Sequence, residues 1–312
     1  MGRFDPIGIV EAAYRVGGTD AEWLDDIVAA ARPCLDAGLG TVAWMLSFDP
    51  TFAASAPAGE GPEGWREAFF AHGPALRPDQ LDRQYRAGCG TLREVTMGTY
   101  EGDAYVKRYL SPMGIADFVA ITGRDVAGHG VFLGAPTPKP IDLSDGRRAT
   151  WSRVAAHLTA GLRLRRTIGA EVDAVIDGER VVHAEHEGRS ANARERLRAA
   201  ARAIDKARGK LRSREPESAV ELWTGLVSGR WTLVDRVESD GRRLLIARRN
   251  SPTPTCARAL SLRERQVVGY ALLGFTNKQT AYALGLTPSA ISMCLRGALR
   301  KLGSNRIEDL RS

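Results

Sequence analysis

Only four cysteines occur in 312 residues, at Cys34, Cys89, Cys256 and Cys294, and no two of them form a C-x-x-C pair. That spacing excludes a zinc ribbon or dithiol redox motif and suits free, mostly buried thiols in a reducing cytoplasm. Long apolar runs are missing as well. No stretch approaches the roughly 18 uninterrupted apolar residues that suggest a membrane span, and Met1-Gly2-Arg3-Phe4-Asp5-Pro6 has no signal-peptide apolar core. A cytoplasmic protein with no membrane partner is therefore expected. No G-x-x-x-x-G-K-[ST], G-x-G-x-x-G or G-x-S-x-G sits between a strand and a helix, and Gly38-Leu39-Gly40 has too few glycines for a dinucleotide fingerprint. His183-Ala184-Glu185-His186 offers two imidazoles without further ligands at metal-site spacing. A solvated hairpin edge accounts for them. No paired acidic residues occur near positions 5 to 15, where a phosphoacceptor receiver domain would need them. The expectation is no enzyme, no catalytic residue, no metal and no cofactor.

What is present is concentrated at the C-terminal end. From Ser261 onward three helix starts follow one another. Ser261 with Glu264, and Thr276 with Gln279, fit the S/T-x-x-E/Q capping box, and Thr287 precedes Pro288 at a first helical position. Gly274, Gly285 and Gly303 stand where left-handed C-caps would close the same three helices. Short helices joined by turns of two or three residues are the helix-turn-helix layout. In the third helix Ile291, Cys294, Leu295, Ala298 and Leu302 recur at helical spacing and form the expected inner face. The opposite stripe is Ser289, Ser292, Met293, Arg296 and Arg300. Such a stripe would enter a major groove with its N-terminal residues nearest the base edges. Arg296 has the chemistry for a bidentate contact to guanine, worth about 1–3 kcal/mol of discrimination. Asn277, Lys278 and Thr287 lie at helix N-termini, where amides and helix dipole favour phosphate.

Charge agrees with this reading. From Cys256 to the end nine basic residues face three acidic ones, whereas the whole chain carries a net charge of only +7. Nearly all excess positive charge thus lies in the segment expected to meet phosphate.

The run Leu260-Ser261-Leu262-Arg263-Glu264-Arg265-Gln266-Val267, then Gly274-Phe275-Thr276-Asn277-Lys278-Gln279-Thr280-Ala281, resembles the LuxR-type transcription-factor module. Leu284-Gly285-Leu286-Thr287, Arg300-Lys301-Leu302-Gly303 and Arg306 continue the resemblance, which covers about a sixth of the chain. It departs in the recognition helix. Family members often carry Thr-Val-Lys-x-His where this chain has Ala290-Ile291-Ser292-Met293-Cys294, so a target sequence cannot be borrowed from relatives. The resemblance implies a four-helix module binding double-stranded DNA as a homodimer, the last helix (around Ile307 to Leu310) contributing to dimer contacts.

The preceding residues read as two further regions. Residues 7 to 16 and 21 to 36 are expected helices, and Thr41 to Phe48 a strand. Pro50 to Pro62 reads as a loop, Trp65–Phe70 and Pro78–Tyr85 as helical patches. Ile115–Ile121 and Gly130–Leu133 follow as core strands. An amphipathic helix over 148 to 167 closes the region, with Trp151, Val154, Ala155, Leu158 and Leu162 on one face. That order resembles a GAF-like sensor fold over residues 1–167. Residues 168–250 begin with a hairpin over Val172–Ala184 that turns at Asp177-Gly178. A helix follows from Ala191 to Leu211 and a short one over Ala219–Val227. Trp231–Val237 and Leu244–Ala247 make a second hairpin turning at Asp240-Gly241. Two hairpins around helices resemble a truncated PAS-like module. A linker at 251–256, within a Pro-containing stretch from Arg248 to Thr255, leads to the helix-turn-helix region at 257–312.

The expected fold class is therefore α+β, a GAF/PAS-like mixed α/β sensor region followed by an all-α four-helix LuxR-type domain. The expected partners are double-stranded DNA, a second copy of the chain and a small-molecule effector of unspecified identity, with contact to RNA polymerase left open. The aromatic residues gathered between 40 and 132, among them Trp44, Phe48, Trp65, Phe69, Tyr85, Phe118 and Phe132, suit either ordinary core packing or an apolar ligand. The competing class is a sensor whose C-terminal helices dock a protein partner instead of DNA.

Overall fold

The computed structural model describes residues 4–48, 54–72, 78–97, 103–104, 106–166, 172–227, 231–237, 243–249, 260–302 and 306–307. They divide into two compact units, one of residues 1–124 with 128–159, the other of 125–127 with 160–312.

The first unit is built on a five-stranded antiparallel sheet. Its strands are β1 (Thr41–Ser47), β2 (Ala58–Glu60), β3 (Cys89–Thr91), β4 (Asp117–Arg124) and β5 (His129–Thr137), in the order β2-β1-β5-β4-β3. The β4–β5 hairpin and the β1–β5 pair form its centre, with Trp44 opposite Phe132 and Leu46 opposite Gly130. Side chains alternate between the two faces of such a sheet, and here each face has its own cover.

One face meets helix. α1 (Pro6–Ala13) and α2 (Asp20–Leu35) run ahead of β1, and α6 (Asp145–Arg166) follows β5. Thr19 starts α2 with a complete capping box to Glu22, and Pro6 starts α1 at a position where its missing N–H costs nothing. Trp23 Nε1 donates to the Ala13 carbonyl at 3.1 Å, fixing α2 on α1, and Tyr14 OH lies 2.9 Å from His157 Nδ1, fixing α1 on α6. α6 crosses the sheet at Gly123, where an added Cβ would lie 2.0 Å from Thr159 Oγ1 and 2.6 Å from the Ala155 carbonyl. Only glycine admits so close a helix.

The opposite face is aromatic and is covered by α3 (Trp65–His72) and α4 (Pro78–Ala87). Thr122 Oγ1 donates to the Gln84 carbonyl at 2.9 Å and seats α4 on β4. α5 (Leu92–Thr96) follows β3, capped by Thr91 and Glu94, and Arg148 of α6 grips Glu94 at 2.6 Å. That guanidinium, with the Thr91 amide, holds the Glu94 carboxyl below its usual range.

The sheet of the second unit repeats the same strand order. β6 (Val172–Asp177), β7 (Arg180–Ala184), β8 (Leu226–Val227), β9 (Trp231–Val237) and β10 (Arg243–Arg249) are arranged β7-β6-β10-β9-β8, all antiparallel. α7 (Ala191–Arg208) buries Leu197, Ala201 and Ile204, and α8 (Lys210–Arg214) and α9 (Pro216–Leu222) follow it. The carboxylate of Asp173 is fully buried. It accepts from Trp231 Nε1 at 2.8 Å and from Arg249 Nη2 and Nε at 2.9 and 3.1 Å, so it ties β6, β9 and β10 together. Arg208 pairs with Asp235 and lies 4.5 Å over the Trp223 ring. His183 and His186 stand 3.2 Å from Glu185 and 3.5 Å from Asp173, so each has a carboxylate neighbour. Among the described residues no group of three or more His, Cys, Asp and Glu is placed to hold a metal, and no helix is long and apolar enough to cross a membrane.

Several expectations change. Ala58–Glu60, read as loop, pairs with β1 because the chain after its turn runs back along that edge. Leu226–Val227, read as the end of a helix, is strand β8: α9 stops at Leu222, and Leu226 pairs with Thr232. The continuous helix expected from Ala191 to Leu211 breaks at Gly209, which has no helical φ and ψ and caps α7. Opposite Asp177 stands Arg180, so the hairpin turns at Gly178-Glu179, one residue later than expected, with Gly178 in the left-handed region at φ 54°. β3 and α5 were not anticipated at all. The Asp240-Gly241 turn and the 251–256 linker lie outside the described residues.

Candidate nucleic-acid interface

Three helices carry the C-terminal site: α10 (Leu262–Leu272), α11 (Asn277–Leu284) and α12 (Pro288–Lys301). Each begins where the sequence places a hydroxyl. Ser261 Oγ accepts from the Glu264 amide and Thr276 Oγ1 from the Gln279 amide, both with the reciprocal carboxyl or carboxamide bond of a capping box, and Thr287 Oγ1 accepts from the Ala290 amide at 3.2 Å. Gly285 ends α11 in the left-handed region at φ 62°, and Gly274 takes φ 81° in the α10–α11 turn. Gly303 and the expected fourth helix from Ile307 to Leu310 lie outside the described residues, save Ile307 itself, which packs against the core of Leu260, Val268 and Ala298.

α12 packs against both α10 and α11. It buries Ile291, Ala298 and Leu299, while Cys294, Leu295 and Leu302 are only half-buried. The inner face is thus turned slightly from the sequence expectation, which omitted Leu299. Burial pushes the Cys294 thiol pKa up, keeping it protonated. One acidic residue organises the bundle from within. Burial works against the charge of Glu264, yet Lys301 at 2.8 Å and the Ser261 amide and hydroxyl outweigh it and hold its pKa below the usual range. Lys301 is therefore paired with Glu264 while its side chain stays partly exposed.

Ser289, Met293, Arg296 and Arg300 are exposed on α12, Met293 at 67%, and Ser292 is half-buried beside them. Arg296 and Arg300 make no ion pair among the described residues. Asn277 and Lys278 are exposed at the first turn of α11. Asn277 Nδ2 donates to Ser292 Oγ at 2.9 Å, which joins the start of α11 to the middle of α12. Thr287 and Ser289 share a hydroxyl–hydroxyl contact of 3.0 Å. Of the eight predicted residues seven are exposed and Ser292 is half-buried. Two arginines without an ion pair among the described residues, together with capped helix N-termini, suit phosphate and base edges.

Helices of this length and order, with α12 packed against α10 and α11, define a helix-turn-helix module. Residues 258–310 match the family of bacterial regulatory proteins of the luxR type (GerE), and this segment is a LuxR-family helix-turn-helix domain. Among solved structures the whole chain is similar to Escherichia coli SdiA, with a TM-score of 0.37 and 10% identity over 98% of this chain and 93% of that one. It is also similar to SdiA in complex with octanoyl-rac-glycerol, at a TM-score of 0.31 and 10% identity over 98% and 91% of the two chains. No curated protein matches the chain.

Proposed function

We propose that this chain is a sequence-specific DNA-binding transcription regulator whose N-terminal region, residues 1–250, senses an effector and controls the helix-turn-helix domain at 257–312. The observation that supports the reading is the exposed part of α12, where Arg296 and Arg300 make no ion pair among the described residues, with Asn277 bonded to Ser292. In this reading Arg296 reads a guanine, Ser289, Ser292 and Met293 contact neighbouring bases, and Asn277, Lys278, Thr287 and Arg300 hold phosphates. The protein works as a cytoplasmic homodimer with two recognition helices on half-sites about one helical turn apart, so whatever changes head spacing changes affinity. The five-stranded sheets at 41–137 and 172–249, sharing one antiparallel strand order, support the reading of a GAF-like region at 1–167 followed by a PAS-like one at 168–250.

The test selects binding sites from random duplex DNA with the full-length protein and with Arg296→Ala, each at low and high salt. An inverted-repeat motif is expected, losing its preference at particular positions in the variant. Failure of the wild-type protein to enrich any motif, with weak binding insensitive to salt, would replace the reading with docking to a protein partner.

A further inference from the structure

The low net charge of the chain before Cys256 hides a local concentration of positive charge. Residues 191–214 hold nine basic side chains and two acidic ones, a surplus equal to the +7 of the whole chain. Six of the nine recur at every fourth position along α7 and α8: Arg194, Arg198, Arg202, Lys206, Lys210 and Arg214. On α7 the helical period sets them opposite the buried Leu197, Ala201 and Ile204. Arg198 is half-buried and the other five are exposed. Arg202 meets Glu195 at 3.5 Å and Glu179 at 3.6 Å. The remaining five make no ion pair among the described residues. Like charges four residues apart destabilise a helix, so folding alone gives no reason for such a stripe.

What such a stripe would hold is narrowed by what surrounds it. Among the described residues the large apolar side chains left exposed are Phe70, Met97, Val182 and Met293, none of them on α7 or α8. A stable protein interface needs aromatic or aliphatic anchors at its centre. A helix entering a lipid surface needs its apolar side free, and the apolar side of α7 is buried in the fold. A phosphate backbone needs only positive charge, and the four arginines of the stripe can each fork onto two phosphate oxygens. Successive cations rise roughly 6 Å along the helix, so Arg194 to Lys206 cover roughly 18 Å, a length that fits a polyanion better than one phosphate group. Duplex DNA is also the polymer this unit is read to bind. α9 packs on α7 and α8, and Tyr282 OH of α11 donates to the Val220 carbonyl of α9 at 2.7 Å, which joins α7–α9 to the helix-turn-helix domain within one compact unit. We propose that the basic stripe from Arg194 to Arg214 holds the sugar-phosphate backbone of duplex DNA outside the operator that α12 reads. The inference adds a second DNA contact and rests on the reading of the chain as DNA-binding.

The test compares the full-length protein with the triple variant Arg194→Gln, Arg198→Gln, Lys206→Gln on two duplexes. One is the selected operator alone, the other the operator extended on each side by about two helical turns of arbitrary sequence. Affinity is read by fluorescence anisotropy across a salt series. The wild type is expected to bind the extended duplex more tightly, and with a steeper salt dependence, than the operator alone. The variant is expected to keep its affinity for the operator alone and to lose the gain from extension. Its slope of log K against log salt on the extended duplex should fall by about 0.9 per phosphate contact removed, hence by about 2.7 where all three cations meet phosphate. Relieving like-charge repulsion on one helix should leave its melting temperature at or above that of the wild type, so a lost contact is not a lost fold. Equal slopes for the two proteins on the extended duplex, with the operator still bound, would overturn the stripe and keep the regulator. A wild type that binds neither duplex would overturn both readings. Phosphatidylcholine vesicles with and without phosphatidylglycerol complete the test. Binding to the anionic vesicles that the variant loses, with duplex slopes unchanged, would assign the stripe to a membrane surface instead.

Discussion

His157 makes the stability of the first unit depend on pH in a calculable way. It lies on α6 at 4% exposure with Nδ1 2.9 Å from Tyr14 OH, and burial lowers its pKa from 6.5 to about 3. The unfolded chain takes up a proton as pH falls through about 6.5, whereas the folded chain stays neutral there until about pH 3. Between those values the unfolded state binds more protons, so stability is full above pH 6.5 and is lost as pH falls, by about 1.4 kcal/mol per unit. At about pH 5, roughly 1.5 units below the unfolded pKa, the loss is about 2 kcal/mol. That is a sizeable share of the 5–15 kcal/mol typical of a domain. Urea unfolding of the full-length protein at about pH 7.5 and about pH 5 reads the effect, with His157→Gln as the comparison. Glutamine keeps a hydrogen-bonding side chain near Tyr14 and cannot titrate, so the variant is expected to lose about 2 kcal/mol less than the wild type between the two pH values. Parallel pH profiles for the two proteins, or an imidazole titration of His157 centred near 6.5 in the folded state, would refute the reasoning.

Three other perturbations follow from particular contacts. Asp173→Asn removes the charge from a fully buried carboxylate held by Arg249 and Trp231. It should cost about 2–3 kcal/mol in urea unfolding, at or below the lower end for a broken buried pair because Arg249 is partly exposed. Gly123→Ala forces a Cβ against Thr159 and the Ala155 carbonyl. A loss of at least about 1–3 kcal/mol is expected from overpacking, and an unchanged melting temperature would show that α6 does not cross the sheet there. Lys278→Ala, exposed at the start of α11, should weaken DNA binding alike on all sequences and lower the salt slope by about one. A change in sequence preference would instead place Lys278 at a base.

How much of this was legible in the sequence varies with how local each interaction is. The starts of α10, α11 and α12 are fixed within four residues by Ser261 with Glu264, Thr276 with Gln279, and Thr287 with the Ala290 amide. Such bonds need no knowledge of the rest of the chain, and the three helices begin where their caps stand. The Thr19–Glu22 box marks α2 in the same way. Strand β2 has no such mark. Ala58-Gly59-Glu60 has neither alternation nor β-branched residues, and it becomes a strand only because β1 offers an edge to pair with. β3 and β8 are equally short, and each is defined by its partner strand. Gly209 breaks a run whose apolar periodicity continues past it, because glycine has no side chain to hold the helical turn and Lys210 starts a new helix at an angle the period does not record.

The same division separates the C-terminal helices from the aromatic cluster. A recognition helix displays its chemistry on one continuous stripe, so Ser289, Ser292, Met293, Arg296 and Arg300 can be listed from spacing alone. What spacing does not show is the bond from Asn277 to Ser292, fifteen residues apart, which fixes α11 and α12 relative to each other. Nor does it show that Lys301 is held by Glu264, thirty-seven residues away. For the aromatic cluster spacing shows less still. Trp44, Phe69, Tyr85 and Phe132 are spread over three elements besides β1, and their meeting depends on the register that puts Trp44 opposite Phe132. Composition alone marks that stretch as rich in aromatics, which suits a core as well as a pocket.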